Sequence, residues 1–227
     1  MRYIGVDAFR RGWIAVLIDT AGKRSFHILN EIAKLEELDE NGPYIAMIDM
    51  PIGLPDSGYR DCDLSARRML GKARNRVFLG ARRFLLQQDL IADYTTANAT
   101  AKANDGKGIA AQLFCILPKI KQLDDFMSPS RAKAVREMHP ELVFFRLNEN
   151  QYLEGKKSEK GQDQRRRLLA NEGFNEIDRW YTQLRGTGVK VDDLLDACAG
   201  AIAAQKPLRL RCKPEIDSKG LHMEMWY

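Results

Sequence analysis

The sequence predicts an α/β fold around a mixed sheet, on three observations. Two β-rich apolar runs, Arg2 to Asp7 and Trp13 to Ile18, flank a polar bend containing Gly12, and Arg24 to Leu29 alternates as a third strand should. Ile32, Leu35 and Leu38 then recur at helical spacing ahead of another β run, Tyr44 to Asp49. A strand reached through a helix after a hairpin lies most economically parallel to the first strand, which puts Asp7 and Asp49 at the same end of the sheet.

Each element has its own signal. Asp19-Thr-Ala-Gly-Lys23 is turn chemistry, and Asn30 can cap a short helix that ends before Asn41-Gly-Pro43. From Pro55 to about Met127 alternation gives way to helical patterns, which predicts a helical insertion; its longer stretch, Ile109 to Phe126, contains Pro118 and is expected to kink or split there. Pro140 disfavours helix at His139, and the β-prone run Leu142 to Leu147 is expected to be the fifth strand. Asn148 to Gly161 reads as a polar, lysine-rich loop, and Gln162 opens a helix whose Arg165 to Arg167 triplet is expected at the surface. Ile177 to Leu184 is a further helical piece, and after Gly186-Thr-Gly188 a last helix carries Leu194, Leu195, Ala197, Ala199, Gly200, Ala201 and Ala203, small enough to pack tightly on a sheet. The tail, Pro207 to Tyr227, offers an edge strand. The organisation expected is one domain over residues 1–227 with the helical insertion at about 55–127.

Composition excludes several classes. With 44% hydrophobic and 30% charged residues the chain is an ordinary globular one, long enough for a continuous core. A net charge of +5 is too mild to identify a nucleic-acid partner by itself. The four cysteines, at 62, 115, 198 and 212, have no metal-binding spacing, and Cys115 and Cys198 lie in apolar helical patterns that predict buried free thiols. The N-terminal run is too short and too charged for a signal peptide, and no stretch approaches the roughly 18 apolar residues of a membrane span. A cytoplasmic protein is expected.

Asp7 closes a buried-looking strand, where a carboxylate is a poor strand former and costly to bury, so it is expected to face an open crevice. Asp49 is followed by Met-Pro-Ile-Gly-Leu, which takes the chain out of the sheet just after the carboxylate. Asp193 and Asp196 are three apart and share a helix face, while Asp192 is better placed as the N-cap. Complementing the helix dipole would also account for Asp192 and Asp193, but fits Asp196 poorly, because it stands a turn inside the helix among apolar and small neighbours. Four carboxylates without thiolate or clustered imidazole favour magnesium or manganese over zinc. His27 and His222 are isolated and are not expected to be ligands. Seven arginines, Arg60, Arg67, Arg68, Arg74, Arg76, Arg82 and Arg83, crowd the first part of the insertion; they are either a solvated face or a phosphate-binding surface, with Arg60, Arg67 and Arg74 the candidates for substrate binding. Arg67 and Arg74 would share a face if one helix carried both.

The pieces together resemble a family. Gly5-Val-Asp7 followed by Arg11-Gly-Trp13, then Ile48-Asp-Met-Pro-Ile-Gly-Leu54, Arg60-Asp-Cys-Asp63, His139-Pro-Glu141, a lysine-rich approach to Gly161 and Asp192-Asp-Leu-Leu-Asp-Ala-Cys-Ala199 are similar to the DUF429 family, described as predicted ribonuclease-H-like nucleases. The resemblance covers nearly the whole chain. It implies a five-stranded mixed sheet of order 3-2-1-4-5 with helices on both faces. It also implies magnesium or manganese held by Asp7, Asp49, Asp193 and Asp196 as catalytic ligands, with Glu141 as an accessory group, acting on a phosphodiester. The function expected is therefore a metal-dependent phosphodiester hydrolase acting on nucleic acid or another phosphorylated substrate. The alternatives are a non-catalytic nucleic-acid or protein-binding module of the same fold and, less well matched, a nucleotide-dependent phosphoryl transferase, whose two domains and Gly/Thr-rich first hairpin this chain lacks.

Overall fold

A computed structural model describes residues 1–39 and 42–227; the expected helix end before Asn41 lies outside the described residues. In chain order the elements are β1 (Arg2–Phe9), β2 (Gly12–Ile18), β3 (Arg24–Leu29), a 3-10 stretch over Ile32–Asp39, β4 (Tyr44–Ile48), α1 (Asp61–Leu70), α2 (Gln88–Ala92), α3 (Tyr94–Asp105), α4 (Ala111–Phe126), β5 (Val135–Glu137), α5 (Pro140–Leu147), α6 (Glu159–Asn171), α7 (Ile177–Gln183) and α8 (Val191–Gln205). The sheet has the order β3-β2-β1-β4-β5. β1 pairs antiparallel with β2, and β2 with β3, while β4 runs parallel to both β1 and β5. The order implied by the resemblance is the one observed.

The fifth strand is not where the β-prone run suggested. It is the three-residue Val135–Glu137, and residues 140–147 form α5. Pro140 occupies the first turn of α5, where a missing N–H costs nothing, and the imidazole Nδ1 of His139 accepts the Glu141 backbone N–H at 3.2 Å as the helix cap. Leu142, Val143, Phe144 and Phe145 are all buried, so a continuous apolar run served a helix packed on several sides as well as it would have served a strand. The run alone could not distinguish the two.

The chain divides into two compact units: Met1–Asp49 with Ala134–Arg209 and Trp226–Tyr227, and Met50–Lys133 with Leu210–Met225. The first holds the sheet and α5 to α8, around a core that includes Ile14, Val16, Met47, Phe144, Trp180, Leu194 and Leu195. The second holds α1 to α4 and most of the tail. α4 runs unbroken through Pro118 and buries Leu113, Leu117, Ile120 and Leu123, a stripe at helical spacing that outweighs the hydrogen bond Pro118 cannot donate. Cys115 points away from that stripe and is exposed, against expectation, while Cys198 in α8 is buried as expected. The tail forms isolated bridges in place of the expected edge strand, among them Ile216 with His222, and it carries Asp217, whose Oδ2 accepts the Leu54 N–H at 3.0 Å and pairs with Arg83. No helix among the described residues is long and apolar enough to cross a membrane.

Candidate functional site

Parallel pairing of β1 with β4 brings Val6 level with Ile48, and the Asp49 N–H donates to the Val6 carbonyl at 3.0 Å. Asp7 and Asp49 therefore follow directly where the parallel pairing stops, although Asp7 does not close its strand as expected, because β1 runs on to Phe9 against β2. The third wall is α8, which lies flush on β1 because glycine meets glycine. A Cβ on Gly5 would fall 1.9 Å from the Ala197 carbonyl oxygen, and one on Gly200 would fall 2.8 Å from the Gly5 Cα. Only hydrogen fits at such an approach. The small-residue helix thereby delivers Asp196, 1% exposed, to the end of the sheet where Asp7 is 7% exposed.

The electrostatics follow from that burial. Asp7 is held well above the usual carboxylate range, first by loss of water and then by Asp49, Asp196 and Asp193, with Lys156 opposing. Asp49 is pushed up to about 6, mainly by burial, with Lys156 opposing and Glu141 adding repulsion. Asp196 also rises to about 6 from burial, again eased by Lys156 and raised by Asp49 and Glu141. The structure thus sets Asp7 against Asp49, Asp193 and Asp196, and Glu141 against Asp49 and Asp196.

They are not equivalent. Asp193 is at the third position of α8, where its Oδ2 accepts the Lys190 N–H at 2.8 Å, so it takes the capping role expected of Asp192. Burial also raises it to about 6. Asp192 is not the N-cap; that position is Lys190. Glu141 is buried against Arg165, with 2.6 Å between Oε1 and Nη2. One oxygen of Asp196, Oδ1, is buried with no hydrogen-bond partner, and its Oδ2 lies 2.6 Å from the Lys156 Nζ.

Two basic residues of this site were missed. Lys156 lies in the loop read only as lysine-rich, and Arg165 in a triplet expected at the surface is 0% exposed. Arg165 had a signal: Gly161, Arg165 and Leu169 recur every four residues and form the buried face of α6. Lys156 had none, because a loop has no period. Burial opposes the Lys156 charge, but Asp196, Asp7 and Asp49 outweigh it and hold the ammonium above the ordinary lysine range.

Carboxylate oxygens, one of them unpartnered, are the donor chemistry of a hard divalent cation. Among the described residues no three His, Cys, Asp or Glu side chains stand gathered to hold an ion as they are; the positive charge facing the set is Lys156.

The arginine candidates lie in the second unit. Arg60 is 2% exposed, and its guanidinium is spent on Asp63, at 2.5 and 3.0 Å, and on the carbonyls of Ile52 and Gly53. Arg67 closes α1 and donates to the Val77 carbonyl at 3.0 Å, whereas Arg74 is exposed in the 3-10 turn Gly71–Arg76. α1 ends at Gly71, with φ 45°, so no single helix carries Arg67 and Arg74.

Fold and site together define an α/β protein in which two adjacent parallel strands and a helix bring buried and half-buried carboxylates together. The chain belongs to the DUF429 family: residues 5–214 match the family described as "Protein of unknown function (DUF429)". Set against curated proteins and against solved structures, it finds no match in either.

Proposed function

We propose that the protein is a metal-dependent phosphodiester hydrolase, a nuclease of the ribonuclease-H-like kind. One observation carries the reading: three carboxylates, Asp7 and Asp196 buried and Asp49 half-buried, repel one another where the pairing of β1 with β4 stops, with an oxygen of Asp196 left unpartnered. Mutual repulsion among buried charges destabilises a fold, and sites of this kind are where function resides. Asp7, Asp49 and Asp196 would hold magnesium or manganese, with Asp193 adding charge from its capping position. Such an ion, when bound, supplies an acidified water and charge stabilisation at the phosphodiester. Glu141, fixed by Arg165, keeps a further negative charge against Asp49 and Asp196. Arg74, exposed, and Arg67 are suited to phosphate; Arg60 is already committed within its own unit.

The test is cleavage of a panel of single-stranded, duplex, hybrid and branched nucleic acids by purified protein with manganese or magnesium, against a chelator control. Cleavage that requires the metal and disappears in Asp7→Asn is the expected result; cleavage surviving in that variant would mean a contaminant. The Lys156–Asp196 ion pair favours a second reading, a non-catalytic binding module, because it gives the carboxylates a counter-charge without metal. Salt-dependent binding without any cutting is its signature.

A further inference from the structure

Lys156 is not placed by chance. The loop that carries it is anchored on both sides: Leu153 is buried, the Glu154 carbonyl accepts from Arg165 Nη1 at 3.0 Å, and the Glu154 N–H donates to Gln164 Oε1 at 2.9 Å. Gly155 lies so close to α6 that a Cβ on Gly161 would fall 2.1 Å from its carbonyl oxygen, and Ser158 caps α6 by accepting the Gly161 N–H at 3.1 Å. Arg165 ties this anchorage to the site itself, since the same guanidinium holds Glu141. Between these fixed points the Lys156 Nζ reaches Asp196 Oδ2 at 2.6 Å and Asp192 Oδ2 at 3.9 Å. The same ammonium also lies within electrostatic reach of Asp7 and Asp49, and the buried Asp196 Oδ1 has no hydrogen-bond partner.

We propose that Lys156 is the resident counter-cation of the acidic cluster and sets how tightly that cluster takes a divalent ion, the Lys156 ammonium and the ion competing for Asp196. This rests on the metal-dependent reading above. The loop anchors hold the backbone while the flexible side chain leaves, so an ion can enter without unfolding the site. Lysine suits the role better than arginine would, as a point charge on a mobile stem with no planar fork to satisfy.

The competition is read from manganese binding to the full chain, followed by the electron-paramagnetic-resonance signal of free Mn2+, in wild type, Lys156→Met and Lys156→Arg. Removing a positive charge beside the ion is expected to tighten binding in Lys156→Met by about tenfold or more, with Lys156→Arg staying near wild type. Binding by Lys156→Met alone would support the proposal more strongly still. Equal or weaker binding in Lys156→Met overturns it and leaves the metal reading standing; no binding by any of the three removes both. A measurement on the unaltered chain guards against a misfolded variant: amine labelling of Lys156, read by mass spectrometry, is expected to speed up when saturating Mn2+ frees the ammonium. Unchanged or slower labelling in protein that has bound Mn2+ overturns the competition.

Discussion

In the second unit the buried and half-buried carboxylates face guanidinium groups: Asp63 against Arg60, Asp105 against Arg82, Asp124 and Asp217 against Arg83. In the first, Asp7, Asp49 and Asp196 share the ammonium of Lys156. The ionisation follows the difference. Burial opposes charge on Asp105, but the backbone N–H groups of Gly58 and Lys107 and the charge of Arg82 prevail, and its carboxyl sits below the usual range. At Asp49 and Asp196 burial and like charges prevail over Lys156. Charge matching suits a structural role, and an excess of one sign is commoner at sites that bind something else.

The largest expected effect separates the two regions by function. Asp7→Asn should lower metal-dependent cleavage by at least about a thousandfold, while its melting temperature in chelator stays level or rises, because a repelling charge has gone. Loss of fold in that variant would make Asp7 structural and erase the contrast.

Next comes the structural counterpart. Asp63→Ala takes the carboxylate away from the buried Arg60 guanidinium, at a cost of about 3–5 kcal/mol, to be read from urea unfolding. A change well under that figure would mean that the second unit's pairs are no better matched than the first unit's cluster.

pH sharpens the comparison further, because the signs oppose. A carboxyl whose folded pKa is raised stabilises the fold while protonated in it, and that contribution is lost as pH rises from the unfolded value towards the folded one. For Asp49 and Asp196 the window runs from 3.8 to about 6, so in chelator stability against urea should fall across it. Asp105, lowered, contributes stability above 3.8 that is lost as pH falls below it. Lys156→Met should deepen the fall between 3.8 and 6, since it removes the charge that eases Asp49 and Asp196; a flat profile in both proteins would mean that the first unit's carboxylates are not in conflict.

The smallest effect concerns the exposed arginine. Arg74→Ala should leave stability unchanged and weaken single-strand binding a few-fold, lowering the salt-dependence slope by about 0.7 if Arg74 neutralises one phosphate. An unchanged slope returns Arg74 to the solvated surface.

The first three strands, β4 and the small-residue helix were legible because alternation and helical spacing are local signals, and parallel pairing of β1 with β4 then fixed Asp7 and Asp49 at one end. Residues 140–147 were misread because an apolar run has no period to decide between strand and buried helix. Arg165 was misread because a triplet of arginines looks solvated until the four-residue spacing with Gly161 and Leu169 is followed. What only the tertiary structure decided was the counter-charge. The sequence by itself determined that Asp7 and Asp49 come from adjacent parallel strands and that Asp193 and Asp196 share a helix face, since alternation and helical spacing place them. It could not say which of the 36 lysines and arginines would answer them, because Lys156 reaches Asp196 from a loop 40 residues away, and a loop's position is set by its anchors in space and not by any repeat along the chain.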